Sequence, residues 1–198
     1  METQYPHMLS PITIGGVTFK NRVWTAPAAM FLLNDQTSNV SDASIAYYAA
    51  KARGGSAVVT VSAQNMDFGR QDQTYHGYWN ILDPESQRSW ERLTDAIHFY
   101  GAKASLELLA FSYHLPNKRG EWEEYTIDGA RGTRKIDRAA AQKLARLYAA
   151  SAQAALDCGF DLILAGTASR SRTPSRRTST TVATSLAARL RSAPSCRS

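Results

Sequence analysis

Met8-Leu9-Ser10-Pro11-Ile12-Thr13-Ile14-Gly15-Gly16-Val17-Thr18-Phe19-Lys20-Asn21-Arg22-Val23-Trp24-Thr25-Ala26-Pro27-Ala28 sets two short β-prone runs about a Gly-Gly pair and ends at a proline. It reads as a small capping hairpin leading into a buried strand. Val17 to Thr25 is apolar and β-branched enough for that strand. Pro27 ends it, because proline removes a ladder donor.

Working outward, the same kind of strand returns at intervals with helical patterns between. Ser41-Asp42 offers an N-cap for a helix through Ala50-Lys51-Ala52, and Gly54-Gly55 stops it. Ser56 to Ser62 is a nearly continuous apolar run, the pattern of a parallel strand buried on both faces. Asp83 to Tyr100 reads as a helix with Trp90, Leu93, Ile97 and Tyr100 on one face. Gly101-Ala102-Lys103 breaks it, and Ala104 to Leu109 is a third strand. Pro116 to Lys135 is polar, contains Gly120, Gly129 and Gly132, and reads as a long loop. Asp137 caps a helix to about Asp157 with Leu144, Leu147, Tyr148, Ala155 and Leu156 as its stripe. After Gly159, Phe160 to Leu164 starts a fourth strand. Strands alternating with helices imply a parallel sheet with right-handed crossovers, an α/β fold.

The chain has 198 residues, whereas a full eight-stranded α/β barrel takes about 250. Length therefore permits one ordinary domain or a little over half a barrel. No apolar run is long enough for a bilayer, and Met1 to His7 lacks a signal-peptide layout. Cys158 and Cys196 form no metal-type spacing, so no metal is expected and a reducing cytoplasm is the default setting. The net charge of +6 comes from 23 Lys and Arg against 17 Asp and Glu. Residues 166–198 hold Arg170, Arg172, Arg176, Arg177, Arg189, Arg191 and Arg197 and no acid. Without those seven, 16 basic and 17 acidic residues remain, so the body is near neutral.

The opening also resembles that of the old yellow enzyme family of flavin oxidoreductases, "L-x-x-P-x-x-I-G-x-x-x-L-K-N-R-x-x-x-A-P-M", with Pro11, Gly15, Lys20, Asn21, Arg22 and Pro27 in register. Ile97-His98-Phe99-Tyr100-Gly101-Ala102-Lys103 is similar to the family's "H-x-x-G-A-K", a structural segment. The resemblance covers roughly residues 8–164. It implies about the first four β/α units of a (β/α)8 TIM barrel that binds FMN, with NADH or NADPH as reductant and an activated alkene as substrate.

The candidate site follows from strand ends. In such barrels ligands meet the C-terminal ends of the strands. Ala26, Pro27, Ala28 and Ala29 end the first strand, and their small side chains let a flat ring approach the main chain. The family position matching Ala29 can be a redox-tuning cysteine or threonine, which this chain lacks. Ser62, in Thr60-Val61-Ser62-Ala63, ends the second strand. Glu107 lies amid Leu106, Leu108 and Leu109, where a carboxylate is costly to bury without partners. The resemblance makes Glu107 the acceptor for the N–H groups of a flavin pyrimidine edge; a solvent-facing strand residue is the plainer alternative. The amine-dehydrogenase branch is similar here, with a glutamate followed by leucine. Tyr113 and His114 lie just after this strand, where substrate contacts could occur, but read as a loop pair without a role; no catalytic acid is assigned.

The family pattern fails after Asp161. "H-G-x-H-G" is replaced by Leu164-Ala165-Gly166-Thr167-Ala168-Ser169, no histidine follows His114, and "D-E-Y-G-G" is absent. Codons for Asp-Glu-Tyr read one base late give Thr-Ser-Thr, and Thr178-Ser179-Thr180 stands where that motif is expected. The expectation is thus a partial barrel over 1–165 and an Arg/Ser/Thr-rich tail over 166–198 that is disordered or out of frame. A truncated chain of this kind should be an impaired oxidoreductase with open sheet edges inviting self-association. The alternative is a non-enzymatic α/β module whose basic tail binds nucleic acid.

Overall fold

The Gly15-Gly16 pair closes a hairpin between β1 (Ile12–Ile14) and β2 (Val17–Phe19), with Ile14 opposite Val17. Both glycines have positive φ, 58° and 83°, as a two-residue turn matched to strand twist requires. One helical turn, α1 (Pro6–Leu9), precedes it. The structure is a computed structural model that describes residues 4–28, 39–65, 80–110, 113–116, 119, 122–126, 134–167 and 182–183.

The strand expected over 17–25 is two strands. β2 is antiparallel to β1, whereas β3 (Trp24–Thr25) runs parallel to β4 (Val58–Asn65). Lys20-Asn21-Arg22 makes the break, because each side chain goes to a carbonyl at the end of a different helix. Lys20 Nζ donates to the Tyr100 carbonyl at 2.8 Å, just past α3 (Gln87–His98). Asn21 Nδ2 donates to the Gly55 carbonyl at 2.8 Å, just past α2 (Asp42–Arg53), while its Oδ1 accepts from Val23 N–H at 2.9 Å. Arg22 Nη1 donates to the His7 carbonyl in α1 and to Ser10 Oγ. Carbonyls at helix C-termini lack intrahelical partners, and this tripeptide supplies three of them at once.

β5 (Lys103–Ala110) and β9 (Leu162–Thr167) continue the sheet in the order β10-β9-β5-β4-β3, and β3, β4, β5 and β9 are parallel. α2 and α3 lie between consecutive parallel strands, as does α4 (Arg138–Asp157). This is the expected α/β architecture, a partial (β/α)8 barrel. The helices cover one face, where Val59, Val61, Ala104, Leu106 and Leu108 pack with Tyr48, Trp90, Leu93, Ile97 and Phe160. Side chains alternate along a strand, so Thr60, Ser62, Ser105 and Glu107 belong to the opposite, inner face. At its lower end the hairpin is the plug: Phe19 packs on Ala57 and Val58, with Leu162 alongside.

Three further expectations change. The helix expected over 83–100 spans only Gln87–His98. Asp83 to Ser86 forms turns instead, closed by Ser86 Oγ donating to the Asn80 and Asp83 carbonyls. Tyr100 lies beyond the helix and is 36% exposed rather than part of its apolar face. The stretch 116–135, expected as a loop, takes part in a separate sheet of β6 (Tyr113–Pro116), β7 (Trp122–Thr126) and β8 (Arg134–Lys135). Trp122, Tyr125 and Thr126 carry β propensity. Finally, β10 (Val182–Ala183) pairs antiparallel with β9, Val182 opposite Ala165 and Ala183 opposite Leu164. The edge of the fourth barrel strand, expected to be open, is paired at these two positions. The other tail residues beyond Thr167 lie outside the described residues.

Candidate functional site

Parallel strands put all their C-terminal ends at one end of the sheet. There the register brings two sequence-predicted residues together. Val61 lies opposite Leu106, and both face the helical core, so the next residues, Ser62 and Glu107, turn to the inner face of neighbouring strands. Glu107 is half-buried, and on its other side Leu164 is its partner in β9. Ser62 is buried, at 7% exposure. Beyond Val61 the β4–β5 register shifts, resuming at Gln64. Bulges of this kind are frequent beside active sites, where they re-aim a strand.

Ala26, Pro27 and Ala28 follow β3 at the same end. Ala26 is exposed, while Pro27 and Ala28 are half-buried. Ala29 lies outside the described residues. What joins Ala28 to Ser62 is a residue the sequence reading missed, Tyr48. Its hydroxyl donates to the Ala28 carbonyl at 3.2 Å and accepts from Ser62 N–H at 3.1 Å. Burial pushes the Tyr48 hydroxyl up to about 12, and the charges of Tyr47 and Glu107 push the same way against the Ser62 hydrogen bond. It therefore stays a donor throughout the working pH range, and Glu107 lies close enough to act on it. A signal was available: Ser44, Tyr48 and Ala52, four apart, are the buried stripe of α2. A tyrosine in a stripe of small residues buries a hydroxyl that needs partners.

The opposite end of the sheet contains a second polar cluster with a different character. Asp161, 5% exposed, precedes β9. It accepts from His98 Nε2 at 2.7 Å, Lys103 Nζ at 2.9 Å and Ala104 N–H at 3.0 Å. Burial alone would raise its carboxyl, but the hydrogen bonds from His98, Lys103 and Ala104, with the His98 charge, hold it below the ordinary 3.8. Each oxygen is engaged by this chain's own groups. His98 is therefore part of the floor, as the sequence reading has it.

The inner face can be tested against a flavin on this geometry. Thr60, Ser62 and Ser105 are small and polar, Glu107 is the carboxylate beside them, and Ala26 to Ala28 add no bulk. That donor set fits the polar edge of a flat heteroaromatic ring.

The model of the NADH:flavin oxidoreductase / NADH oxidase family matches residues 7–168. The chain belongs to this family. It is 30% identical over 102 residues to an NADPH dehydrogenase of Listeria monocytogenes serotype 4a (strain HCC23), a stretch covering 51% of this chain and 29% of that protein. It is 30% identical over 106 residues to an NADH oxidase of Thermoanaerobacter brockii, covering 54% of this chain and 16% of the relative. The chain thus spans less than a third of each of these curated relatives. Among solved structures, histamine dehydrogenase from Rhizobium sp. 4-9 matches with a TM-score of 0.62 and 22% identity, over 82% of this chain and 24% of that one. Old Yellow Enzyme from Pichia sp. AKU4542 matches with a TM-score of 0.60 and 18% identity, over 80% and 45%. At these identities the structural likeness speaks for the fold, the family barrel. Among the described residues no helix is long and apolar enough to cross a membrane.

Proposed function

We propose that this chain carries the ring-binding part of an FMN site in an NAD(P)H-dependent oxidoreductase of the ene-reductase type. The observation that supports it best is the placement of Ser62 and Glu107 at the ends of neighbouring strands, just past the Val61–Leu106 pair, with Ala28 joined to Ser62 through Tyr48. The main chain of Ala26, Pro27, Ala28 and Ala29 would lie against the ring, Ser62 would contact it from the second strand, and Glu107 would accept hydrogen bonds from its pyrimidine edge. When bound, FMN supplies the hydride-accepting centre that proteins lack, and the chain's own task is to hold and polarise it. NADH or NADPH is the reductant in this reading, an activated alkene such as an enone the substrate, and the cytoplasm the setting. The edge of β3 is the candidate surface for self-association.

The phosphate of such a cofactor is expected near the last two strands of a complete barrel. Among the described residues the four parallel strands β3, β4, β5 and β9 do not include them, and the contacts they offer are to the ring. Titration of the purified chain with FMN, followed by flavin fluorescence, tests the reading. Saturable quenching that weakens on Glu107→Ala is the expected result. No quenching at any FMN concentration would remove the flavin site.

A further inference from the structure

We infer that Tyr48 is a positioning residue for this ring site, its hydroxyl setting the separation between the ends of β3 and β4. The inference rests on the flavin reading above and adds to it a residue that touches neither substrate nor cofactor.

Three observations carry it. First, the two bonds of the hydroxyl run to main-chain groups of different strands, the Ala28 carbonyl and the Ser62 amide. Both groups belong to the segments assigned to the ring. A single atom thereby links the two segments that a flat ligand would have to span. Second, the link stands where the sheet's own ladder is irregular. Register between β4 and β5 holds through Val61 and resumes one residue out of step, at Gln64. At Ser62 the tyrosine supplies a bond at the point where the ladder shifts. Third, Tyr48 is held from behind. It is fully buried, the Tyr47 ring meets it edge-on at 5.1 Å, and Lys51 Nζ lies 5.3 Å from its centroid. A fixed ring makes its hydroxyl a fixed point, and positioning of reacting groups demands such rigidity from the residues behind them.

The experiment uses the full 198-residue chain, FMN and two variants. Tyr48→Phe keeps the ring and removes the hydroxyl. Thr94→Val removes a buried hydroxyl at the other end of the sheet, where Thr94 Oγ1 donates to the Cys158 carbonyl at 2.6 Å. FMN affinity, the flavin absorbance band, thermal midpoint and amide exchange at Ser62 are read for each. For Tyr48→Phe we expect FMN affinity to fall about tenfold, the flavin band to change shape and the Ser62 amide to exchange faster. For Thr94→Val we expect a comparable loss of thermal midpoint with affinity and band unchanged. Wild-type binding equalled by Tyr48→Phe would overturn the inference while leaving the flavin reading intact. An equal loss of affinity in Thr94→Val would overturn it too, reducing Tyr48 to general stability. Absence of FMN binding by the wild-type chain would sink the flavin reading and this inference with it. Should Tyr48→Phe fail to fold, exchange in the wild type decides: slowing of the Ser62 amide by FMN supports the link, and no change overturns it.

Discussion

The two ends of the parallel sheet use polar residues in opposite ways. At the lower end, Asp161 is matched to His98, Lys103 and Ala104 N–H, and Lys20, Asn21 and Arg22 each take a helix-end carbonyl. The donors and acceptors there come from this chain, and the plug of Phe19 on Val58 keeps them together. At the upper end, Ser62, Glu107 and the Ala26 to Ala28 segment lie at the C-terminal ends of the strands, and Tyr48 ties the end of one strand to the next. A polar cluster whose partners all come from the chain stabilises a fold. The difference supports the proposed reading, with stability at the floor and ligand contact at the mouth, the division expected of barrels in general.

The strongest way to break this comparison is to ask the mouth for turnover. The 198-residue chain, given FMN, NADH or NADPH and a simple enone, should oxidise nicotinamide little or not at all, because the four described parallel strands supply ring contacts without the strands at which the phosphate is expected. Turnover that saturates with FMN and collapses in Glu107→Ala would show the mouth to be sufficient as it stands. The floor should respond to a different change. Asp161→Asn replaces one carboxylate oxygen with a donor, facing either Lys103 or the His98 and Ala104 N–H groups, and should cost about 2–4 kcal/mol in chemical denaturation. FMN affinity measured well below the unfolding midpoint should not move.

Gly159 sharpens the same contrast by geometry alone. Its φ is +93°, and a Cβ built there would stand 2.9 Å from Thr94 Oγ1. Thr94 cannot give way cheaply, since its hydroxyl bonds the Glu91 and Cys158 carbonyls. Gly159→Ala should therefore destabilise by about 1–3 kcal/mol, measured by the same denaturation.

Acid should reach the floor before neutral pH can tell the two ends apart. The Asp161 carboxyl is held below 3.8 in the folded chain. Such a group contributes stability that is present above its unfolded value and is lost as pH falls through the folded one. Stability should drop below about pH 4, and this limb should be shallower in Asp161→Asn than in the wild type. Equal slopes would mean that Asp161 is not what acid attacks.

What the sequence disclosed follows the same division. The alternation of Ser56–Ser62, Ala104–Leu109 and Phe160–Leu164 with amphipathic helices was legible, because parallel strands buried on the helix side must be apolar. So were the caps at Ser41 and Asp137, whose side chains accept from Ser44 and Ala140 N–H. The break at Lys20-Asn21-Arg22 was not, since its partners lie at Tyr100, Gly55 and His7 and local propensity runs straight through it. Tyr48 was missed for a related reason. Its partners are backbone groups 20 and 14 residues away, and periodicity marks a buried position without saying what a hydroxyl finds there. Ser62 and Glu107 were each legible as strand-end residues, but their adjacency needed the register.

The smallest expected effect tests whether distance or burial makes an ion pair matter. Arg92 Nη2 meets Asp42 Oδ1 at 2.7 Å, the same separation as His98 to Asp161. The side chains of Arg92 and Asp42 are 54% and 82% exposed, against 34% and 7% for the floor pair. In water the attraction between Arg92 and Asp42 is screened, and fixing two long side chains costs rotamer freedom. Asp161 accepts two further hydrogen bonds in a site where removing it strands buried donors, while Asp42 faces solvent and can be rehydrated. Arg92→Ala should therefore shift the denaturation free energy by only about 0.2–1 kcal/mol, and added salt should shrink even that. A loss on the scale of Asp161→Asn would mean that the contact between α2 and α3 depends on this pair, and that geometry outweighs burial here.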